Sequence, residues 1–169
     1  LQNPGTPPFG PLNVRAVSRH EFERYAVENV LFESVPGWDV NASVYLPDAK
    51  AFPPPWPAVV VPVGHSGKQF ESYQIPAQVF ARLGFVAVTF DPPGMGGEKK
   101  PGNDHFSDGV RCYLTGWSSN RFFVADALRC IDYLATRTDV DMKNGVGMTG
   151  VSGGGFTTMF ATLLDGRIT

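Results

Sequence analysis

Only two cysteines, three histidines and 18% charged residues occur in these 169 residues, and each scarcity excludes something. Two thiols, Cys112 and Cys130, cannot staple a disulfide scaffold. They could pair in a secreted protein, but isolated buried thiols are commoner, and neither lies at a metal-ligand spacing. No apolar run approaches the ~18 residues of a membrane-spanning helix. The net charge is −2, the isoelectric point is near 5.9 and no basic stripe appears, so neither nucleic acid nor an anionic membrane surface is an expected partner. No basic-then-apolar leader follows Leu1, which leaves localisation open.

What is present is a soluble-type composition, 43% hydrophobic, at the length of one ordinary domain. Pro4, Gly5, Pro7, Pro8, Gly10 and Pro11 crowd the start, so residues 1–24 are expected to be an irregular arm and 25–169 the folded unit. Val27 to Phe32 reads as a strand, and Val35-Pro36-Gly37 as a turn. Trp38, Val40, Ala42, Val44 and Leu46 then alternate with polar residues, as in a half-exposed antiparallel strand. The pattern changes at 58–63 and 85–90, where unbroken apolar runs suggest parallel strands buried on both faces. Between them Ile75, Val79, Phe80 and Leu83 recur at helical spacing, with Gly84 closing the helix. A second helix is expected over about 119–136, with Phe123, Ala127, Ile131 and Leu134 on one face. A strand over 145–150, a helix over 156–164 and the start of another strand at Ile168-Thr169 complete the reading. The succession predicts an α/β fold: a mostly parallel sheet with an antiparallel N-terminal edge and helices on both faces.

Gly150-Val151-Ser152-Gly153-Gly154 has the G-x-S-x-G pattern of a nucleophile elbow, set between that strand and that helix. The small neighbours let the chain reverse within one residue, holding the serine hydroxyl above the sheet and pointing the next N–H at a developing oxyanion. Ser152 is the candidate nucleophile and Gly153 N–H a candidate oxyanion donor. Gly64-His65-Ser66-Gly67, after the first parallel run, is the candidate second donor loop, through His65 or Ser66 N–H. His65 is a poor candidate base, because it precedes the nucleophile in a glycine-rich loop. Asp91, at the head of Asp91-Pro92-Pro93-Gly94-Met95-Gly96-Gly97-Glu98, is expected to bond nearby amides. His105 is expected in a solvated loop, and Asp165 as a capping or salt-bridging residue. Gly145-x-Gly147-x-x-Gly150 matches a dinucleotide fingerprint only formally, since its glycines overlap the strand. The lack of a following Lys-Ser/Thr excludes a Walker phosphate loop. No metal or cofactor is implied.

Together the Gly64-His65-Ser66-Gly67 strand end, the Asp91–Gly97 loop, and the run from Asp126 through Ser152 to Gly155 resemble the α/β-hydrolase superfamily. The resemblance covers about residues 27–169. Within the superfamily the chain is most similar to acetyl xylan esterase-like and dienelactone hydrolase-like enzymes and to prolyl oligopeptidase-type domains. The resemblance implies acyl transfer through Ser152 on a small-molecule or carbohydrate ester, leaning toward acetylated carbohydrate. A prolyl oligopeptidase-like peptidase and a non-catalytic hydrolase-fold binding module are the alternatives. It also implies an acid and a histidine after the nucleophile, but the 17 residues beyond Ser152 hold one acid, Asp165, and no histidine. The chain is therefore expected to be the N-terminal part of such a domain, truncated after the elbow helix and inactive alone.

Overall fold

A computed structural model describes residues 10–95 and 105–169. The elements run β1 (Arg15–Glu21), β2 (Tyr25–Val35), β3 (Trp38–Pro47), β4 (Ala58–Pro62), α1 (Glu71–Arg82), β5 (Val86–Asp91), α2 (His105–Leu114), α3 (Asn120–Ala135), β6 (Gly147–Met148) and α4 (Gly153–Leu164). They form one six-stranded sheet in the order β1-β2-β3-β5-β4-β6. β1, β2, β3 and β5 are joined antiparallel, while β5, β4 and β6 run parallel. The sheet is the expected mixed α/β one, antiparallel at its N-terminal edge.

Residues 15–21 correct one expectation. They lie inside the stretch read as irregular, yet they pair with β2 from Arg15↔Leu31 to Glu21↔Ala26. The prolines and glycines stop at Pro11, and the sequence beyond is too polar to announce an edge strand whose outer side faces water. Residues 1–9 and 96–104 lie outside the described residues, and with them the Gly96-Gly97-Glu98 end of the stretch headed by Asp91.

The β2–β3 hairpin closes through Pro36-Gly37, with Val35 paired to Trp38 and Gly37 at φ +77°. Proline followed by a left-handed glycine is what a type II turn requires. Along β3, Val40, Ala42, Val44 and Leu46 turn to one face and are buried there. They join Val60, Val88 and Phe90 beneath α3, whose Ala127, Ile131 and Leu134 are fully buried. Each such aliphatic side chain contributes about 1.5–3 kcal/mol relative to exposure. The smaller core on the opposite face lies beneath α1. There the contact face is Tyr73, Ala77 and Ala81, with Phe80 partly buried beside it. Ile75, Val79 and Leu83, expected to mark the stripe, are about half exposed or more. Alanines at i and i+4 let the helix lie close to the sheet, and closeness rather than residue size decides the packed face.

The strand expected over 145–150 is reduced to Gly147 and Met148. It is extended by a parallel bridge between Val146 and Ile168, with Val146 N–H donating to Arg167 O at 2.8 Å and Thr169 N–H to Val146 O at 3.2 Å. The beginning of a further strand at Ile168 is therefore present. Asp165 ends α4 and pairs with Arg167 Nη2, which holds its carboxyl below the usual range.

Asp126 on α3 is wholly buried, and loss of water pushes its carboxyl up to about 7, with Ser34 and Trp38 drawing it back only in part. The native protein therefore keeps a proton that the unfolded chain releases near pH 4. Between about pH 4 and 7 the native state binds more protons, so the Asp126 contribution is full below this window and falls as pH rises through it. Denaturant midpoints at pH 4.5 and 8 are expected to show this loss. Asp126→Asn, neutral throughout, should shrink the difference between the two midpoints.

Candidate functional site

Ser152 stands at the N-cap of α4 with φ 58° and ψ −124°, a left-handed backbone that non-glycine residues adopt only under constraint. The constraint is visible in the glycines around it. A methyl group at Gly150 would lie 2.5 Å from the carbonyl carbon of Gly154, and one at Gly154 would lie 2.1 Å from Pro62 O. The chain thus folds back on itself and against the end of β4 at once, and only hydrogen side chains fit at both positions. Thr149 N–H donates to Val60 O at 3.1 Å, tying the approach to the elbow onto β4. Gly154 N–H donates to Val151 O at 3.0 Å, and Phe156 N–H to Ser152 O at 3.0 Å, so the helix begins at once. The result leaves Ser152 exposed at the positive end of a 12-residue helix.

The Gly64–Gly67 loop is brought against this turn. A methyl group at Gly64 would meet Tyr73 Oη at 2.6 Å, Val151 O at 3.2 Å and Ser152 Cβ at 3.4 Å. The position of a methyl at Gly153 is 3.4 Å from the His65 ring. Ser152, Gly153, Gly64 and His65 are thus one cluster, with Ser66 half-buried in the same loop and its carbonyl accepting from Gln69 Nε2 at 3.3 Å. His65 itself is exposed.

Asp91 ties the end of the loop to the sheet and is itself held by β3. Lys68 N–H donates to Asp91 Oδ1 at 2.7 Å, and Asn41 Nδ2 donates to Asp91 Oδ2 at 3.2 Å. Burial raises the Asp91 carboxyl, while the Lys68 amide and ammonium pull it back. The expectation that Asp91 bonds nearby amides holds for Lys68.

His105 departs from expectation. It opens α2 rather than sitting in a loop, and it is half-buried. Its ring meets the His65 ring edge-on with centroids 4.8 Å apart and stacks on Phe123 at 5.3 Å. The sequence does not mark Tyr73 as a site residue: a tyrosine within a helical apolar pattern looks like core, and nothing local says its hydroxyl reaches Gly64. Beside α4 opens a groove of about 730 Å³, lined by Trp117, Arg121, Phe156 and Phe160 among others, with the Arg121 guanidinium 4.0 Å from the Trp117 ring centroid. Among the described residues, no group of three or more His, Cys, Asp or Glu could hold a metal ion.

No protein-family model and no curated protein matches the chain. Solved structures do. A Bacteroides fragilis protein proposed to be an acetyl xylan esterase superposes with a TM-score of 0.79 at 20% identity, over 94% of this chain and 47% of its own. Methylesterase BT1017 matches at 31% identity and TM-score 0.76, over 93% of this chain and 34% of its own. The acetyl xylan esterase of Paenibacillus sp. R4 matches at 20% identity and TM-score 0.74, over 94% and 52%. The chain spans between a third and about half the length of these proteins, whose shared architecture is that of the sheet and helices described above.

Proposed function

From an α/β-hydrolase fold with Ser152 at its strand-to-helix turn, we propose that this chain belongs to a serine esterase acting on carboxylic esters of carbohydrate. The observation that carries the proposal is the strained Ser152 backbone at the start of α4, pressed against the Gly64–Gly67 loop. Ser152 Oγ attacks the ester carbonyl and its proton passes to a general base. Charge gathers on the former carbonyl oxygen, where Gly153 N–H and an N–H of His65 or Ser66 receive it. The alcohol leaves with a proton returned by the base. Water then attacks the acyl-Ser152 ester, releasing the acid and restoring the hydroxyl. In the order nucleophile, acid, histidine that this fold uses, the base is a histidine outside these 169 residues. The solved neighbours include acetyl xylan, methyl and glucuronoyl esterases, which favours ester over peptide substrates.

A fluorophosphonate probe applied to the full-length protein tests the assignment. Labelling confined to the peptide containing Ser152, and lost in Ser152→Ala, is the expected result. A folded full-length protein that takes up no probe would favour the binding-module reading instead.

Asp91 offers a second check on the oxyanion loop. Asp91→Ala removes the acceptor of Lys68 N–H, so the loop should lose its set without losing its residues. Since one oxyanion donor is worth about 10²–10³ in kcat, a loosened donor is expected to cost about tenfold in kcat with KM little changed. Asp91→Asn, which keeps an acceptor oxygen, should recover most of the loss in steady-state assays.

A further inference from the structure

On the α1 face, over the antiparallel edge of the sheet, lies a cleft of about 260 Å³ that the proposed chemistry does not use. Its floor is polar where a sheet face under a helix is ordinarily apolar. Asn29 and Ser43 sit opposite one another on β2 and β3, and Ser43 Oγ donates to Asn29 Oδ1 at 2.7 Å. Asn29 Nδ2 in turn donates to Ser18 Oγ at 2.9 Å on β1. Lys68 turns its side chain inward over this floor, with Nζ donating to Ser43 Oγ at 2.9 Å. Burial lowers the Lys68 ammonium from its ordinary value, with Asp91 opposing the shift.

The wall facing Lys68 is aromatic. Phe22 and Tyr25 stack with centroids 4.8 Å apart; Tyr25 is buried with the Arg82 guanidinium over its ring, so Phe22, 53% exposed, is the aromatic surface open to a ligand. Gln69, Gln74 and Gln78 supply amides from the α1 side. Among the described residues no aspartate or glutamate lines the cleft, and the carboxylate that acts on its ammonium, Asp91, stands outside the lining. A concave site with an aromatic wall and a few convergent polar groups is built for a ligand of matching pattern. Side-chain amides donate and accept together, as the hydroxyls of a sugar ring do, and the C–H face of such a ring packs on aromatic carbon. The remaining Lys68 N–H groups suit a carboxylate.

We propose that this cleft binds one unit of an acidic carbohydrate, its ring on Phe22 and its carboxylate on Lys68. The site is distinct from the nucleophile. β3 and β4 are two strand spacings apart, about 10 Å at the usual separation, and Ser152 is set against the loop that follows β4. The cleft would thus hold a different unit of a glycan from the one presented to Ser152, yet it does not require that Ser152 be catalytic.

Calorimetric titration of the full-length protein with a trisaccharide of hexuronic acid, against a neutral hexose trisaccharide, tests this. The acidic trisaccharide should bind saturably and at least tenfold more tightly than the neutral one. Lys68→Gln and Phe22→Ala should each weaken it tenfold or more, while Ser152→Ala leaves it unchanged. Binding indifferent to Lys68 and Phe22, equal binding of the neutral sugar, loss in Ser152→Ala, or no saturable binding by a folded protein would overturn the proposal. Gln78→Ala, at a half-exposed helix position, carries the same test if Lys68→Gln fails to fold.

Discussion

Ser152→Ala is expected to lower kcat/KM for ester hydrolysis by the full-length protein by about 10⁴-fold or more, the usual cost of removing a serine nucleophile. Without Oγ there is no acyl-enzyme, and only binding and the oxyanion donors remain to help water attack directly. The backbone should tolerate the change, because the turn is enforced by Gly150 and Gly154 and not by the serine side chain. Ser152 makes no capping hydrogen bond through its hydroxyl, so α4 loses no cap. Thermal midpoints of the two proteins should therefore agree within a few degrees while their activities diverge. Equal activity would place the nucleophile elsewhere. A matched collapse of stability would mean that the assay had measured unfolding. The two outcomes separate through the melting curve.

Gly154→Ala is expected to destabilise the fold by about 3 kcal/mol or more, at the upper end of what overpacking costs. The added carbon would sit 2.1 Å from Pro62 O and 2.9 Å from Pro62 C, both backbone atoms of β4. A flexible side chain could rotate away from such a contact, but a central strand fully buried over Ala58–Pro62 cannot. Relief requires α4 to move off the sheet. That movement would also shift Ser152 from the Gly64 loop, so activity should fall along with the denaturant midpoint. Gly155→Ala is the control. Its added carbon would lie 3.1 Å from Gly150 O and touch nothing else closer than 3.7 Å, so a much smaller loss is expected. Equal midpoints for the two variants would show that the elbow and β4 are less tightly apposed than described.

The parts of this fold that sequence discloses are those governed by short-range patterning. The apolar runs at 58–63 and 85–90 could be read as buried strands because both faces of β4 and β5 are covered, so no charged residue interrupts them. The hairpin at Pro36-Gly37 was legible because a left-handed φ needs glycine. β1 was not, since a water-facing edge strand gains its order from pairing with β2 and carries little pattern of its own. The buried face of α1 was misjudged for a related reason. Ala77 and Ala81 look neutral in a sequence, and only the distance between helix and sheet makes them the contact. His105 shows the same limit, since its partner His65 lies forty residues away and the two meet only because the first residue of α2 comes beside the loop after β4.

The candidate site divides along the same line. Ser152, Gly153 and the surrounding glycines announced themselves by composition, because a reversal within one residue admits few side chains and the serine between them has an obvious chemistry. What those residues stand next to was decided in three dimensions. The Lys68–Asp91 tie and the polar floor beneath Lys68 join segments that are distant in sequence and brought together by strand order, and Tyr73 meets Gly64 only where α1 packs back on the loop that leads into it. Local geometry is encoded locally, through backbone sterics and periodicity. Apposition depends on which strand lies beside which, and that is settled only when the whole sheet buries its faces at once.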